Sequence, residues 1–593
     1  MIGFCFPLRN LNLKNKNLIN KNFNIHIDSI HRNMPGQGRK AALLLSLLTA
    51  VALTGCTTGK QGGDTGNASS SPSGVQSKSG GKASGNVLRY ALISEPTTLD
   101  PAKVEDGTTI DLLQNVFEGL VKWDEQNNIA PSLAEKWDVS PDGVTYTFHL
   151  RSGVKFQKNG REMTAEDFKY SLDRACDTKT ASPVASTYLG DIKGVTERIQ
   201  GKATDISGVK AVDSHTLQIT LTSFKPYWLG NMTYPCSFVV CKEEIAKTKG
   251  EVNENSAIGT GPFQFRNYAK STQVTLDANA TYYGGKPKLD GIERPIITDG
   301  GTRLNSYETG ELDIVDVSPR DLDHVNSDAV LKADLKTFPR ASTWYVALNQ
   351  DSTESPFKKK EVRQAFAMAI DRDAIVKVAL KGQADLATGI VSPHLGDYVS
   401  TCKLLPFDPA KAKKLLSQAG YPDGKGFPKL PLTFRNDMPQ VQSTSEMIAQ
   451  QLKENLGIEV QTQPMQWGDF LKERTAKTMP LSHLRWGADY ADPQNFLSLL
   501  LHTSKKVNGK EDHPENGVGY SNPQFDALCD KADMEHDHAK RMTMYQQAEQ
   551  IAVDDAPWVP LYFQRDIELV KPRVKNIRDS LFGHLPYTTT TVQ

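Results

Sequence analysis

Strand periodicity and helix periodicity take turns from Asn86 to the C-terminus, and that interleaving commits the chain to an α/β architecture. Val144, Tyr146, Phe148 and Leu150 alternate with Thr145, Thr147 and His149, the period of a half-buried strand. Pro141-Asp142-Gly143 supplies the turn before it. Thr164-Ala165-Glu166-Asp167 predicts a helix N-terminus, with Phe168 and Leu172 on one face of the helix. Asp408-Pro409 predicts another, in the order N-cap then Pro, carrying Leu415 and Leu416 and closed by Gly420. Ser443-Thr444-Ser445-Glu446 reads as a capping box. The helix it would open carries Ile448, Leu452 and Leu456 and stops at Gly457, with a strand expected around Ile458 to Val460. No repeat of fixed period and no coiled coil is present. At 593 residues the chain exceeds what one hydrophobic core serves, so two or three domains are expected.

The one long apolar run, Ala41 to Leu53, follows Arg39 and Lys40. At about 13 residues and ~1.5 Å of rise per residue it is short for a bilayer core of ~30 Å. Basic residues before a short apolar stretch make a secretory signal. Its end, Leu53-Thr54-Gly55-Cys56, resembles the bacterial lipobox, which implies that Cys56 is lipidated and becomes the mature first residue. Several acyl chains on one cysteine would anchor the protein firmly to the outer face of the cell membrane or in the periplasm. Residues 34–55 are therefore read as a lipoprotein signal peptide. Met34 is read as the true start, with the Asn- and Lys-rich residues 1–33 a gene-model extension. Residues 56–85 hold Gly, Ser, Thr, Lys and Gln with almost nothing apolar, so they cannot offset their ordering entropy and form a flexible tether. Its root-mean-square reach would be roughly 30 Å.

Charge and motifs exclude several function classes. Lys+Arg and Asp+Glu are both 69, so the chain lacks the basic excess a general nucleic-acid binder needs, and no nucleic-acid partner is expected. None of the seven cysteines forms a CxxC pair. Cys236 and Cys241 are near enough in sequence to form a disulfide, the alternative being buried free thiols. HExxH, GxSxG and the P-loop pattern are absent, so no catalytic residues, metal or cofactor are expected and the chain is read as not an enzyme. His536 and His538, with Glu535 and Asp537, could suggest a metal, but residues two apart on a helix face different ways, and a solvated face is the plainer reading. Aromatic residues gather in the C-terminal half: Trp344-Tyr345, Trp467, Trp486 with Tyr490, and Trp558 with Tyr562 and Phe563. Trp and Tyr give flat apolar walls with a polar handle, suited either to ligand contact or to a core.

Six ordered motifs carry a resemblance. Leu99-Asp100-Pro101, Asn115 to Leu120 and Pro131 to Trp137 resemble the opening of the family 5 extracellular solute-binding proteins, the large peptide- and nickel-binding components of ABC importers. Tyr146 to Arg151 with Phe156 resembles the family's strand and turn, and Thr164 to Asp167 with Phe168 and Tyr170-Ser171 its following helix. Gly259-Thr260-Gly261-Pro262-Phe263, Val362 to Ala365 with Ala369 to Arg372, and Tyr520-Ser521-Asn522-Pro523 with Phe525-Asp526 complete the set. The resemblance spans nearly all of residues 86–593. It implies a two-lobed periplasmic-binding-protein fold, hinged, with the ligand enclosed between the lobes and an extra domain inserted near the N-terminus. Domain I would comprise 86–117, 239–341 and 563–593, domain II 118–238, and domain III 342–562. Thr180 to Pro183, Gly208 to Asp213 with His215 to Leu217, and Trp486 to Pro493 look most like the oligopeptide-binding branch.

The same resemblance implies roles for particular residues. Asp489 would pair with the α-ammonium of a peptide, since a buried ammonium needs an anionic partner. The backbone around Arg485 and Gly487 would supply main-chain hydrogen bonds, which read no side chain. Glu105 matches an acid near the ligand. Tyr307, Trp344, Trp467 and Trp486 match pocket-wall positions. The basic residues that hold a peptide's C-terminal carboxylate in some members are not clearly matched; Arg474 is one candidate, and His483 stands where one branch has Arg. The implied function is capture of oligopeptides or dipeptides by a monomer that hands them to ABC permease and ATPase subunits. The alternative is another cargo for the same fold: a nickel chelate, haem or an oligosaccharide.

Overall fold

The computed structural model describes residues 85–593, apart from positions 353, 394, 508, 509 and 512. The expectations for residues 1–33, the signal at 34–55, Cys56 and the tether to residue 84 lie outside the described residues. Among the described residues no helix is long and apolar enough to cross a membrane.

Three main sheets organise a mixed α/β chain. The first has four strands in the order Val87–Arg89, Gly291–Pro295, Gln273–Ala278, Phe263–Ala269; the first pair is parallel and the others antiparallel. Leu88, Phe263, Phe265, Leu276 and Ile292 fill the core beneath it. The second is an antiparallel sheet ordered Ala134–Val139, Thr145–Leu150, Thr216–Thr220, Val209–Asp213. Tyr146, Phe148 and Leu150 point into a core with Phe168, Leu172 and Trp228, while Thr145, Thr147 and His149 are half-buried. That is the alternation expected from the sequence.

The third sheet has seven strands. Its path runs Ile314–Asp316, Trp558–Val570, Leu335–Leu348, Leu481–Gly487, Pro431–Arg435, Gln461–Met465, with Ala384–Leu386 also paired to Trp558–Val570. The two longest strands, Leu335–Leu348 and Trp558–Val570, pair antiparallel across most of their length, with register shifts after Pro339 and at Trp344. This sheet sets the residues of the cleft side by side: Trp344 faces Arg485 on one neighbour and Tyr562 on the other, and Thr343 faces Trp486.

Helix caps follow local chemistry. The Asp167 carboxylate accepts from the Thr164 backbone N–H at 2.9 Å, opening the helix Ala165–Ala175. Asp408 accepts from the Lys411 N–H at 2.9 Å, Pro409 takes the first helical position, and the helix ends at Gln418 ahead of Gly420 with φ +97°. The turn at Gly259 allows close chain approach: a Cβ there would lie 2.2 Å from the Val116 carbonyl oxygen.

Two local expectations are corrected. Ser443 to Glu446 is no N-terminal box, because the helix runs Pro439–Leu456 with Met438 as N-cap. Pro at the first position starts it a turn earlier, and Ser445 instead donates back to the Val441 carbonyl at 2.7 Å. Ile448, Leu452 and Leu456 are buried as expected, and Gly457 closes the helix at φ +71°. The strand expected at Ile458 to Val460 begins later, at Gln461–Met465, a mostly exposed edge strand whose pattern carries no apolar alternation. Cys236 and Cys241 are free and buried. Cys236 sits in the 3-10 turn Pro235–Ser237, whereas the Cys241 thiol points to Asn159 and Glu243. His536 and His538 part company too: the first stacks on Phe224 at 3.9 Å and the second bonds Asp397 at 2.7 Å.

Candidate ligand-binding cleft

A cavity of about 460 Å³ opens beside the C-terminal half of the strand Leu481–Gly487. That volume is in the range of small-ligand sites. Glu105, Trp344, Trp467, Arg485, Trp486, Gly487 and Asp489 all line it, as do Arg474 and His483. Tyr307 does not. It is fully buried among Leu304, Leu312 and Val325, its hydroxyl donates to Asp334 at 2.6 Å, and Lys571 lies over its ring at 3.8 Å. Tyr307 is a core residue of the helix Gly300–Glu308, and the pocket-wall role expected for it is withdrawn.

The strand Leu481–Gly487 presents its backbone to the cleft for a topological reason. One edge is paired along its whole length with Ser342 to Leu348. On the other edge, pairing with Pro431–Arg435 stops at His483. Leu484 to Gly487 therefore have no strand neighbour on that side among the described residues. Gly487 sits opposite Ser342 so closely that a Cβ would come within 3.0 Å of the Ser342 hydroxyl.

Asp489 follows directly after this strand. Its carboxylate accepts from the Tyr188 hydroxyl at 2.6 Å, and its backbone N–H donates to Asn495 Oδ1 at 3.2 Å. Asn495 Oδ1 also accepts from Trp486 Nε1 at 2.8 Å, which fixes the indole beside the carboxylate. No cation lies within ion-pair distance of Asp489 among the described residues. Burial raises its carboxyl to about 7, with the Glu515 charge adding and the Tyr188 and Asn495 hydrogen bonds and Arg474 opposing. Tyr188 is held by face-to-face stacking on Tyr234 at 3.7 Å, and the Tyr234 hydroxyl donates to the Val104 carbonyl at 3.0 Å.

The two candidates for a carboxylate-binding group are both engaged. Arg474 donates to Glu515 at 2.7 Å and lies 5.6 Å from the Trp486 ring centre. His483 is fully buried, shares a 2.9 Å hydrogen bond with Ser445, and burial lowers its pKa to about 3, so it stays neutral. Arg435 covers Trp467 at 3.9 Å and forks onto Asp437 with both bonds at 2.6 Å. Glu105 projects into the open space of the cleft, its carboxyl raised by burial and by Glu515, with Arg474 opposing. Sequence reasoning missed Tyr188, Asn495 and Gln564. Gln564 accepts from Trp344 Nε1 at 3.0 Å and from Arg485 at 2.7 Å. Among the described residues no group of three His, Cys, Asp or Glu is placed to hold a metal ion.

The model of bacterial extracellular solute-binding proteins, family 5 Middle, matches residues 128–508. The chain belongs to this family. Family 5 proteins are solute-binding proteins, and their two-lobed α/β fold is the fold seen here. One relative is the probable deoxycholate-binding periplasmic protein YgiS of Escherichia coli, 33% identical over 82% of this chain and 90% of its own length. A second is the periplasmic oligopeptide-binding protein OppA of Salmonella typhimurium, 32% identical over 81% and 88% respectively. A third is haem-binding protein A of Haemophilus influenzae, 29% identical over 92% and 97%. The murein tripeptide-binding protein MppA of E. coli superposes with a TM-score of 0.77 at 28% identity, over 86% of this chain and 99% of its own. Its unliganded open form gives only 0.63, over 86% and 98% at the same identity.

Proposed function

We propose that this protein captures oligopeptides or dipeptides outside the cytoplasm, by their α-ammonium, for an ABC importer. The observation that carries the reading is the Asp489 carboxylate: it lines the cleft, is fixed by Tyr188, and has no cation within ion-pair distance among the described residues. Burying a carboxylate without a partner is costly, and an arriving ammonium removes that cost. The unpaired edge at Leu484 to Gly487 supports the same reading, because an extended peptide can add there through main-chain hydrogen bonds that ignore its side chains. Trp467 and Trp486 then supply walls tolerant of many side chains.

Closure of the lobes around the peptide is the means of retention, with ligand contacting both walls only when they are shut. The segment boundaries at 117/118, 238/239, 341/342 and 562/563 are where we divide the three domains. We further propose that Cys56 carries a lipid anchor, that the mature protein is a monomer at the membrane's outer face, and that permease and ATPase subunits receive its cargo. Another solute is the second reading, favoured by the deoxycholate- and haem-binding names of two relatives. Native mass spectrometry of protein taken from its own host separates the two. Peptide masses on the folded protein support the proposal, and a bile acid, porphyrin or metal chelate in their place contradicts it.

A further inference from the structure

One corner of domain III, away from the cleft, carries a block of lysines. The helix Pro409–Gln418 packs antiparallel on the helix Lys360–Ala369. At one end the Asp408 N–H donates to the Met368 carbonyl at 2.9 Å, and at the other Lys359 Nζ donates to the Ala419 carbonyl at 2.7 Å. Ala412 and Leu416 are buried, and Lys411, Lys413 and Lys414 are on the helix's exposed side. The loop that follows folds back onto the same helices, with the Phe427 ring centre 5.6 Å from that of Phe366 and 6.3 Å from that of Phe357. This contact brings Lys425 and Lys429, on either side of Phe427, close to Lys358, the neighbour of Phe357.

All six lysines are exposed, and none forms an ion pair among the described residues. The helix Pro409–Gln418 contains no acid. Asp408 before it is occupied in capping the Lys411 N–H at 2.9 Å, which leaves Glu361 and Asp423 as the exposed acids of these segments. Phe407, 43% exposed, adds an aromatic ring at the helix's entry. Because Lys+Arg and Asp+Glu balance at 69 each over the whole chain, this excess is local.

The residue type says what kind of partner fits. Protein interfaces are depleted in lysine and enriched in arginine, whose flat fork takes two directed bonds. Here every unpaired charge is a lysine, and the two arginines nearby, Arg363 and Arg372, donate to backbone carbonyls. Point charges on long, flexible stems suit a diffuse negative field, and an exposed Phe beside them suits the headgroup boundary of a bilayer.

We propose that this face of domain III docks on the anionic phospholipid of the membrane to which the protein is anchored. The inference rests on the Cys56 anchor proposed above, which keeps the face near a bilayer and lets a weak attraction suffice. The tether of residues 56–85, at ~3.4 Å per residue, spans up to roughly 100 Å. A fold of this size is roughly 60 Å across, so the face can meet the bilayer without straining the anchor.

The test is amine acetylation of the intact anchored protein on vesicles, read lysine by lysine by mass spectrometry. Vesicles of phosphatidylcholine alone are compared with vesicles holding about one third phosphatidylglycerol. On the anionic vesicles the six lysines are expected to react roughly fivefold or more slowly than on the neutral ones, while the exposed Lys202 and Lys210 of the inserted domain keep their rates. High salt should abolish the difference, because screening removes the attraction. The triple variant Lys411→Gln, Lys413→Gln, Lys414→Gln changes only exposed positions, and its Lys358, Lys425 and Lys429 should react on anionic vesicles as they do on neutral ones. Equal rates on the two vesicles overturn the assignment, and so does uniform slowing that includes Lys202 and Lys210. Protection that needs added importer subunits, and appears on neutral vesicles too, gives the face to a protein partner and overturns the membrane assignment. Flotation with anionic but not neutral vesicles removes the Cys56 anchor and keeps the docking face. Flotation with neither overturns both.

Discussion

The Tyr188 hydroxyl donates to the Asp489 carboxylate at 2.6 Å, joining residues 301 positions apart in the chain. Tyr188 lies on the helix Ala185–Leu189, and Asp489 follows the strand Leu481–Gly487. This bond therefore ties two walls of the cleft together at the group assigned to the ligand's ammonium. Tyr188→Phe keeps the ring and its stack on Tyr234 but removes the donor. One hydrogen bond to a charged group is worth about 1.5 kcal/mol or more, so peptide affinity at pH 7 should fall roughly tenfold. The Asp489 carboxyl should also move further up, which carboxyl-resolved NMR titration of wild type and variant would show.

Affinity should depend on pH through the same carboxylate. Burial leaves Asp489 near 7 in the free protein, and an ammonium partner must pull it down, because an opposite charge favours the ionised form. Free protein thus holds more protons than bound protein between the two pKa values. Peptide affinity should weaken by up to about tenfold per pH unit below 7, and should weaken again above about pH 8 as the peptide's own α-ammonium loses its proton. Calorimetry at pH 7 in buffers of different ionisation enthalpy should show a fraction of a proton released on binding.

Much of this organisation was legible in the sequence, and the failures have physical reasons. The alternation at Thr145–Leu150 and the caps at Thr164 and Asp408 are local, so residue order alone reveals them. Asp489, Trp486, Trp467 and Glu105 were reached through motif resemblance, and the structure brings them into one cleft. Tyr307 failed because an aromatic matching a wall position says nothing of which way its ring faces; Asp334 and Lys571 claim it for the core. Tyr188, Asn495 and Gln564 were missed because their roles are contacts with distant strands or loops and leave no periodic trace. Ser443 to Glu446 misled because a good capping pattern also sits comfortably inside a helix that Pro439 has already started.

Away from the cleft, Arg541 forks onto Asp492 with bonds of 2.7 and 2.6 Å, and both side chains are largely buried. Asp492 also caps the turn that follows Asp489, so the pair supports the cleft from behind. Arg541→Met leaves a buried carboxylate unpaired and should cost about 3–5 kcal/mol of stability. Urea unfolding of both proteins, with matched m-values, measures it.

His584 lies between Glu568 at 3.0 Å and Asp579 at 2.8 Å. Burial alone would lower its pKa, but the two carboxylates overrule it and hold it at about 10. The unfolded value is ordinary, about 6.5. A raised folded pKa means stabilisation that is complete below about pH 6.5, declines as pH rises, and is gone above about 10. His584→Gln should be destabilised most at pH 6 and should approach wild-type stability near pH 10. A constant difference across that range would contradict it.

The most direct measurement is calorimetric affinity of a free-amine peptide and its N-acetyl form for wild type and Asp489→Asn at pH 8. Asparagine preserves shape and both neighbours while removing the charge. Wild type should prefer the free amine strongly, and the variant should bind it weakly and no better than the acetylated form. A variant that keeps wild-type affinity and preference for the free amine would contradict the assignment of Asp489.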